Sequence, residues 1–489
     1  MKRGSITVFS ALSFMLIASF LFALLEAGRD YQLSVYADLT SDLSIESVFA
    51  EYQPKLWQDY HLLALDGAYG GENFGIEYVT GVLGARIRKN LDLKGAAGQM
   101  MGIAHSDSYA GEYELLTDGE GSVFLRHIAD YMQKNLPIEM VQKLYDQCVK
   151  KEEIENGRQT GGCVENAQKA IEDAKKEREQ QKEGDADRIL PETPGRIEEN
   201  PLALVLQIRR NALLGIVTGG IGELSDRRGA ANVVEKRVLE KGSTEHAPQA
   251  NLYDRVLVLE YMDRYFSDYL SEMSHHARAY ELEYVLCGKE TDKDNLEGVV
   301  ERLLLIREAA NVTHILADAK KRSEALGVAN VLAGFTGNPV VVQVVQIGVV
   351  AAWAYVESIL DIRALLAGDR VALLKNGDEW TTCLGGLTEV LGDGTKSKDC
   401  AYGFSYQDYL KGFLFTMGSE KLAYRMLDII EQNIRQVPAY RNCRVDHLIC
   451  GIAYRIEYTA DPLFWNFSVL GSAEPEGRIF YSNKSFSYY

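Results

Sequence analysis

Proline and cysteine are scarce in this chain: 489 residues hold ten of the first and seven of the second. So thin a set of cysteines excludes a disulfide-dense scaffold. None stands in a Cys-x-x-Cys pair, which leaves out a zinc ribbon and a thioredoxin-type redox centre. His-Glu-x-x-His and Gly-x-Ser-x-Gly are absent as well, and with them the usual zinc hydrolase helix and nucleophile elbow. Positive charge is in deficit: 52 Lys and Arg face 70 Asp and Glu, a net charge of −18. Such a chain repels phosphate backbones, so nucleic acid is excluded as a partner.

The near misses fail on spacing. Gly392-Asp-Gly-Thr-Lys-Ser397 has the flavour of a phosphate-binding loop, but Thr395 separates Gly394 from Lys396, and it reads as a surface turn. Gly219-Gly220-Ile221-Gly222 lacks the third glycine of a dinucleotide fingerprint. His275 and His276, with Glu281 and Glu283 downstream, would point about 100° apart on a helix and so read as surface histidines. His105, Asp107 and Ser108 are close in sequence, yet triads are built in space. No catalytic residue, cofactor, metal ligand or small-molecule substrate is assigned, and the chain is expected not to be an enzyme.

What the sequence does have is a long apolar opening, MKRGSITVFSALSFMLIASFLFALLEAGRD. Ser5 to Leu25 would make a helix of roughly 31 Å, enough for a hydrocarbon core of about 30 Å. A secretory signal has a shorter apolar core and an Ala-x-Ala-like cut site, and neither fits. A retained single-pass anchor is expected, in preference to a cleaved signal or a buried core helix. Lys2 and Arg3 place the N-terminus in the cytoplasm and the bulk of the chain outside. Beyond Arg29 the apolar residues Tyr31, Val35, Leu39 and Leu43 recur every fourth position, continued by Val48 and Tyr52. That stripe predicts an amphipathic extension of the same helix, packed on a head domain and broken at Pro54.

The rest reads as α+β, predominantly α-helical, with a small antiparallel sheet. The expected organisation is a leader (1–4), a membrane helix (5–25), its amphipathic extension (26–60), a first α+β region (61–165), a charged helix and linker (166–200) and a mainly helical domain ending in a β hairpin (201–489). Helices are expected near Tyr78–Lys89, after the Gly-rich turn at 119–121, over Ile138–Lys150, Leu252–Met273, Tyr280–Leu286 and 294–317, the last capped by Asp292 or Asp294. The polar run after Asn166 reads as a solvated helix. Val340 to Val356 carries no charge; it reads as a central buried helix rather than a second span, because it is short, holds Gln343 and Gln346 and has no basic flank. Asn442 to Ala460 alternates like a strand, and the C-terminal RIFYSNKSFSYY is expected to pair with it. The cysteines fall mostly in near neighbours: Cys148 with Cys163, Cys383 with Cys400, Cys443 with Cys450. Three short-loop disulfides in an oxidising compartment, or buried free thiols, both fit that spacing.

Two resemblances add to this reading. Lys2-Arg3-Gly4 before an apolar segment resembles the leader of pilin-like proteins, which implies cleavage between Gly4 and Ser5; Phe9 stands where pilins usually carry glutamate. Glu26-Ala27-Gly28-Arg29 is similar to the membrane-exit motif of TadE- and TadG-like pseudopilins of the tight-adherence (Flp pilus) system. That resemblance implies an extracytoplasmic structural or accessory subunit whose partners are the membrane and other pilin-like or Tad subunits. The anchor would pack through Gly4, Ser10, Ala11, Ser13, Ala18 and Ser19, and Glu26 and Arg29 would serve assembly rather than folding. A membrane-tethered binding module outside any filament is the alternative, and an enzyme of unrecognised type the third reading. Separately, Tyr280–Asp318 and Ala352–Lys375 resemble signature runs of an uncharacterised bacterial family, which implies no activity.

Overall fold

The computed structural model describes residues 2–91, 102–135, 162–184, 200–210, 213–219, 224–229, 234–244, 252–273, 275–392, 394–461 and 478–489; at 2–5, 177–184 and 252 only the backbone is described. The chain divides into two compact units that are not consecutive stretches. The first is built from 1–134, 234–251 and 430–489, the second from 135–233 and 252–429.

The first unit starts with α1, Lys2–Phe49, a single unbroken helix of 48 residues. It stops before Pro54, which opens α2, Pro54–Tyr60; the Gln53 side chain caps α2 by accepting from the Lys55 amide. There follow β1 (Leu65–Asp66), α3 (Ile76–Leu91), β2 (Ile103–Leu115) and α4 (Ser122–Asn135), then β3 (Leu448–Ala460) and β4 (Arg478–Ser487). The link from β2 to α4 is the expected Gly-rich turn, with φ positive at Gly119, Glu120 and Gly121. Strand β3 is the centre of the sheet and pairs antiparallel with β1, β2 and β4. The β3–β4 ladder runs without a slip from Gly451↔Ser487 to Ala460↔Arg478.

The sheet is packed on one face. Ile452, Tyr454, Ile456 and Tyr458 of β3 turn inward against Ala37, Ile45, Val48 and Phe49 of α1 and Val79, Leu83 and Ile87 of α3. Each such aliphatic or aromatic side chain removed from water stabilises by about 1.5–3 kcal/mol, so burial on this face holds the second half of α1. Polar contacts set its register. Ser41 Oγ and the Tyr458 hydroxyl lie 2.6 Å apart, Ser482 Oγ donates to Asp38 at 2.6 Å, and the Tyr488 hydroxyl donates to the Phe49 carbonyl at 2.6 Å.

The second unit is helical: α5 (Cys163–Gly184), α6 (Pro201–Ile208), α7 (Leu213–Thr218), α8 (Leu252–Tyr265), α9 (Glu281–Cys287), α10 (Asp292–Ala317), α11 (Ala319–Ala333), α12 (Pro339–Leu366), α13 (Leu387–Gly392), α14 (Tyr406–Thr416) and α15 (Ser419–Arg435), whose residues divide between the units. Helix α12 is the hub, packed by α5, α10 and α11. Gly348 is what lets α5 so close: a Cβ there would stand 2.2 Å from the Ala167 Cβ. From Gly348 to Leu366 every residue of α12 is buried, while Val340 and Ile347 in its first turns are exposed. The uncharged stretch is therefore a core helix with an exposed start.

Three expectations need correction. Helix α8 ends at Tyr265 rather than Met273, because the Glu281 and Glu283 carboxylates capture the amides of Ser267 and Tyr269 at 2.9 and 3.0 Å and turn the chain. The cap of α10 is Thr291, whose hydroxyl accepts from the Asp294 amide at 3.1 Å. The polar helix α5 is not solvated all round, since Val164, Ala167 and Ile171 are buried. The helix expected over Ile138–Lys150 lies outside the described residues.

Candidate functional site

The face that α1 buries meets its predicted stripe only at Val48. Leu33, Ala37, Thr40, Ser41, Ser44, Ile45 and Val48 turn inward, whereas Tyr31, Val35, Leu39 and Leu43 are each more than half exposed. The physical reason lies in the polar inward residues: small serines and a threonine let the helix approach the sheet closely, and the serines find partners there and on α3, Ser41 at Tyr458 and Ser44 at Asn90, the latter at 2.8 Å. The larger apolar residues are left on the opposite side. Further toward the N-terminus no described residue covers the helix; Ile6, Phe9, Phe14 and Leu16 are all exposed by more than half. This is the longest uncharged helix surface among the described residues, and it is long and apolar enough to cross a membrane.

Between the bare and the packed half sits the exit motif. Glu26 is 2% exposed. Its carboxylate lies 3.5 Å from Arg29 and 3.7 Å from Arg478, the first residue of β4, and Arg478 also pairs with Asp30. A Cβ added at Gly102 would come 3.4 Å from the Arg29 guanidinium, just before β2. Ile103, Ala460 and Arg478 share one end of the sheet. The motif thus clamps the helix to that end, so Glu26 and Arg29 belong to the fold, where the sequence had pointed to assembly alone. Gly28 faces the other way, exposed and with nothing within 4 Å of an added Cβ. Of the cleavage pair, Gly4 and Ser5 are helical in backbone, and their side chains are outside the described residues. Ser10 and Ala11 are exposed, Ser13, Ala18 and Ser19 partly so.

The second constellation is in the core of the helical unit. Asp361 on α12 receives Arg307 Nε of α10 and Asn311 Nδ2, both at 2.9 Å, on one oxygen; Lys375 Nζ (2.5 Å) and Ser397 Oγ (2.6 Å) take the other. Glu357, one turn earlier on α12, pairs with Lys375 and accepts the amides of Thr381 and Thr382 at 3.0 and 2.9 Å. Arg307 also donates to the carbonyls of Ala372 and Leu373 and to the Tyr409 hydroxyl. Burial by itself raises the Asp361 carboxyl, but Arg307 and Lys375 outweigh it and hold the group below the usual carboxylate range. Two cations and two carboxylates balance, and each is spent on the irregular chain at 371–382 and 397. The chemistry is that of a clamp: each charge is met by an opposite charge and by further hydrogen bonds. Ser397 shows that the 392–397 turn is not simply surface; its serine is buried, while Lys396 pairs with Asp369 at 2.6 Å.

A third buried carboxylate behaves differently. Glu283 accepts from the Tyr406 hydroxyl at 2.6 Å and from the Tyr269 amide, while its other oxygen has no hydrogen-bond partner among the described residues. Burial pushes this carboxyl up to about 8, despite the Tyr406 hydrogen bond that favours ionisation. A raised carboxyl stabilises the fold fully below the ordinary glutamate range, and that contribution is lost as pH rises toward about 8. The denaturant midpoint should therefore fall between pH 5 and pH 8.5, and Glu283→Gln should narrow the fall. An unchanged fall in the variant would place the titration elsewhere.

The remaining expectations resolve as follows. His276 pairs with Glu281 at 2.9 Å rather than standing on the surface, and no group of three or more metal-ligating side chains occurs among the described residues. His105 bonds Ser108 at 2.7 Å, but Asp107 accepts from the Ser108 amide and not from the histidine. Two shallow troughs of about 390 and 370 Å³ lie on the outer face of the sheet, the larger holding the closed Glu114–Arg126 pair. Cys383, Cys400, Cys443 and Cys450 are free thiols. The disulfide reading is corrected for these four: Cys443 is buried with Gln53 donating to its sulfur at 3.8 Å, and Cys400 bonds Glu379 at 3.4 Å. Cys163 is also free, and Cys148 lies outside the described residues.

The two signature runs, 280–318 and 352–375, supply Arg307, Asn311, Glu357, Asp361 and Lys375 and so meet in one buried network. A family model matches residues 191–460, more than half of the chain. The chain belongs to that family of unknown function, DUF5702. The match holds the whole clamp and strand β3; α1 with its exit motif lies before it. No curated protein and no solved structure matches the chain.

Proposed function

We propose that this member of DUF5702 is a membrane-anchored, extracytoplasmic structural subunit of a pilus-like or secretion assembly, of the TadE- and TadG-like kind. The observation that carries this reading is α1 itself: one unbroken helix with a bare apolar first half and a second half packed on an antiparallel sheet. A bare half of that composition requires lipid or other apolar helices around it. Lys2 and Arg3 orient it with the N-terminus in the cytoplasm. The ion-paired clamp at Glu26 stands where the helix would leave the membrane, making the junction rigid rather than hinged.

Sequencing the N-terminus of the protein purified from membranes, with and without prepilin peptidase, tests the reading. A peptidase-dependent start at Ser5 is the expected result. A start beyond Glu26 would remove the anchor and overturn it. The alternative, a tethered binding module, draws on the outer face of the sheet, where Arg455 lies 4.3 Å over the exposed ring of Tyr481 and Tyr109 stands beside them. A start at Met1 in both strains would favour that module.

A further inference from the structure

The clamp in the helical unit brings one amine against two carboxylates. Glu357 and Asp361 stand four residues apart on one face of α12. Lys375 Nζ contacts Glu357 Oε1, lies 2.5 Å from Asp361 Oδ1 and donates to Ser397 Oγ at 3.1 Å. Backbone donors grip both oxygens of Glu357: the Thr381 amide at Oε1 and the Thr382 amide at Oε2. Donors so placed stabilise the negative charge that develops when a nucleophile adds to the carboxyl carbon. Asp361 is held differently. Arg307 and Asn311 occupy its Oδ2, which leaves Oδ1 to the amine and to the Ser397 hydroxyl. All four of Lys375, Glu357, Asp361 and Ser397 are buried, and Trp380, packed edge-on with Trp353, presents its ring 5.8 Å from Nζ. A nucleophile, a carboxyl carbon and a proton acceptor are thus fixed together away from water, which is what amide formation requires.

We propose that Lys375 and Glu357 condense into an intramolecular amide, a covalent cross-link between α12 and the chain that follows it. The lysine ammonium passes a proton to Asp361 Oδ1. The freed lone pair forms the Nζ–Cδ bond with Glu357, and charge gathers on the oxygens held by Thr381 and Thr382. One oxygen leaves as water, taking the proton from Asp361 and a second from the nitrogen; the other stays as the amide carbonyl. An ammonium and a carboxylate are consumed, a neutral amide and one water are formed, and Asp361 ends as it began. No oxidant or co-reactant enters. Electrostatics select Glu357 over Asp361 as the acyl partner. Buried ion pairs carry a desolvation cost; the amide removes one pair, and Arg307 keeps Asp361. Were Asp361 consumed instead, Arg307 would be left without a carboxylate. Exclusion of water opposes the reverse hydrolysis. The link joins positions 18 apart in sequence and would keep the irregular segment on α12 when the surrounding fold opens. It forms within one unit, whether or not α1 is anchored.

The purified full chain is incubated folded, then denatured, digested with trypsin and analysed by mass spectrometry. Trypsin does not cut after an acylated lysine, so peptide 323–363 should appear joined to 371–396, one water lighter than the two together. Fragmentation should place the bond between Glu357 and Lys375. In Lys375→Arg the joined species should vanish and 371–375 should be released on its own. A parent digest holding only the separate peptides 323–363, 371–375 and 376–396 would overturn the cross-link. So would a joined species that persists in Lys375→Arg, and a bond found at Asp361 would overturn the assignment to Glu357.

Discussion

Replacing Asp361 by alanine is expected to cost about 3–5 kcal/mol, the usual result of leaving buried charges without their partner. Two cations are stranded at once. Arg307 is fully buried and keeps only the carbonyls of Ala372 and Leu373 and the Tyr409 hydroxyl; Lys375 keeps Glu357 and Ser397. The loss should appear in the helical unit, as hydrogen exchange opening across α10, α12 and the 371–382 segment. Asp361→Asn keeps the shape and removes the charge, so it should be milder but still destabilising. The depressed Asp361 carboxyl also sets a sign for pH: its contribution is present above the usual aspartate range and is lost as pH falls through its folded value. In the variant that acid-side loss should shrink. An Asp361→Ala protein as stable as the parent would show that the network is not a clamp.

The second large effect is expected at Phe49→Ala. Phe49 is 1% exposed, stacks on Phe486 with ring centroids 4.1 Å apart and meets Tyr488 edge-on at 5.4 Å. Truncating a buried aromatic of this kind costs about 3–5 kcal/mol through lost transfer energy and the cavity left behind. Phe49 is also the last residue of α1, and its carbonyl receives the Tyr488 hydroxyl. The change should therefore loosen the grip of β4 and the C-terminal tyrosines on the helix. Amide protection should fall along 33–49 and 478–489 while α10 and α12 keep theirs. Equal loss in both regions would mean that the two units unfold as one.

Much of the fold was legible because local signals agreed with it. Pro54 marked the break after α1, the turn at 119–121 announced itself in three residues, and β3 alternated as a half-buried strand must. The exit motif was visible as letters, but its meaning was not, since its partner Arg478 is 452 residues away from Glu26. The clamp was hidden for the same reason. Its members come from 307, 311, 357, 361, 375 and 397, and a lone Asp or Lys in an apolar helix does not state its partner. A retrospective signal existed in Glu357 and Asp361, two carboxylates one turn apart just after the uncharged run 340–356 of α12.

The stripe on α1 is the clearest case of a pattern that was real but misread. Periodicity shows that two faces of a helix differ; it does not say which face the protein takes for itself. By itself the sequence determined that a long apolar helix opens the chain, that a mostly helical body with a short antiparallel sheet follows, and that no recognised catalytic motif is present. These rest on composition and on contacts between near neighbours, which local chemistry dictates. Only the tertiary structure decided that α1 presents serines, threonine and small aliphatics to the sheet and leaves Tyr31, Val35, Leu39 and Leu43 outside, and that four distant charges close on one another in the helical core. Those outcomes depend on how closely backbones can approach and on which partners arrive from elsewhere in the chain, and neither is written in any local stretch.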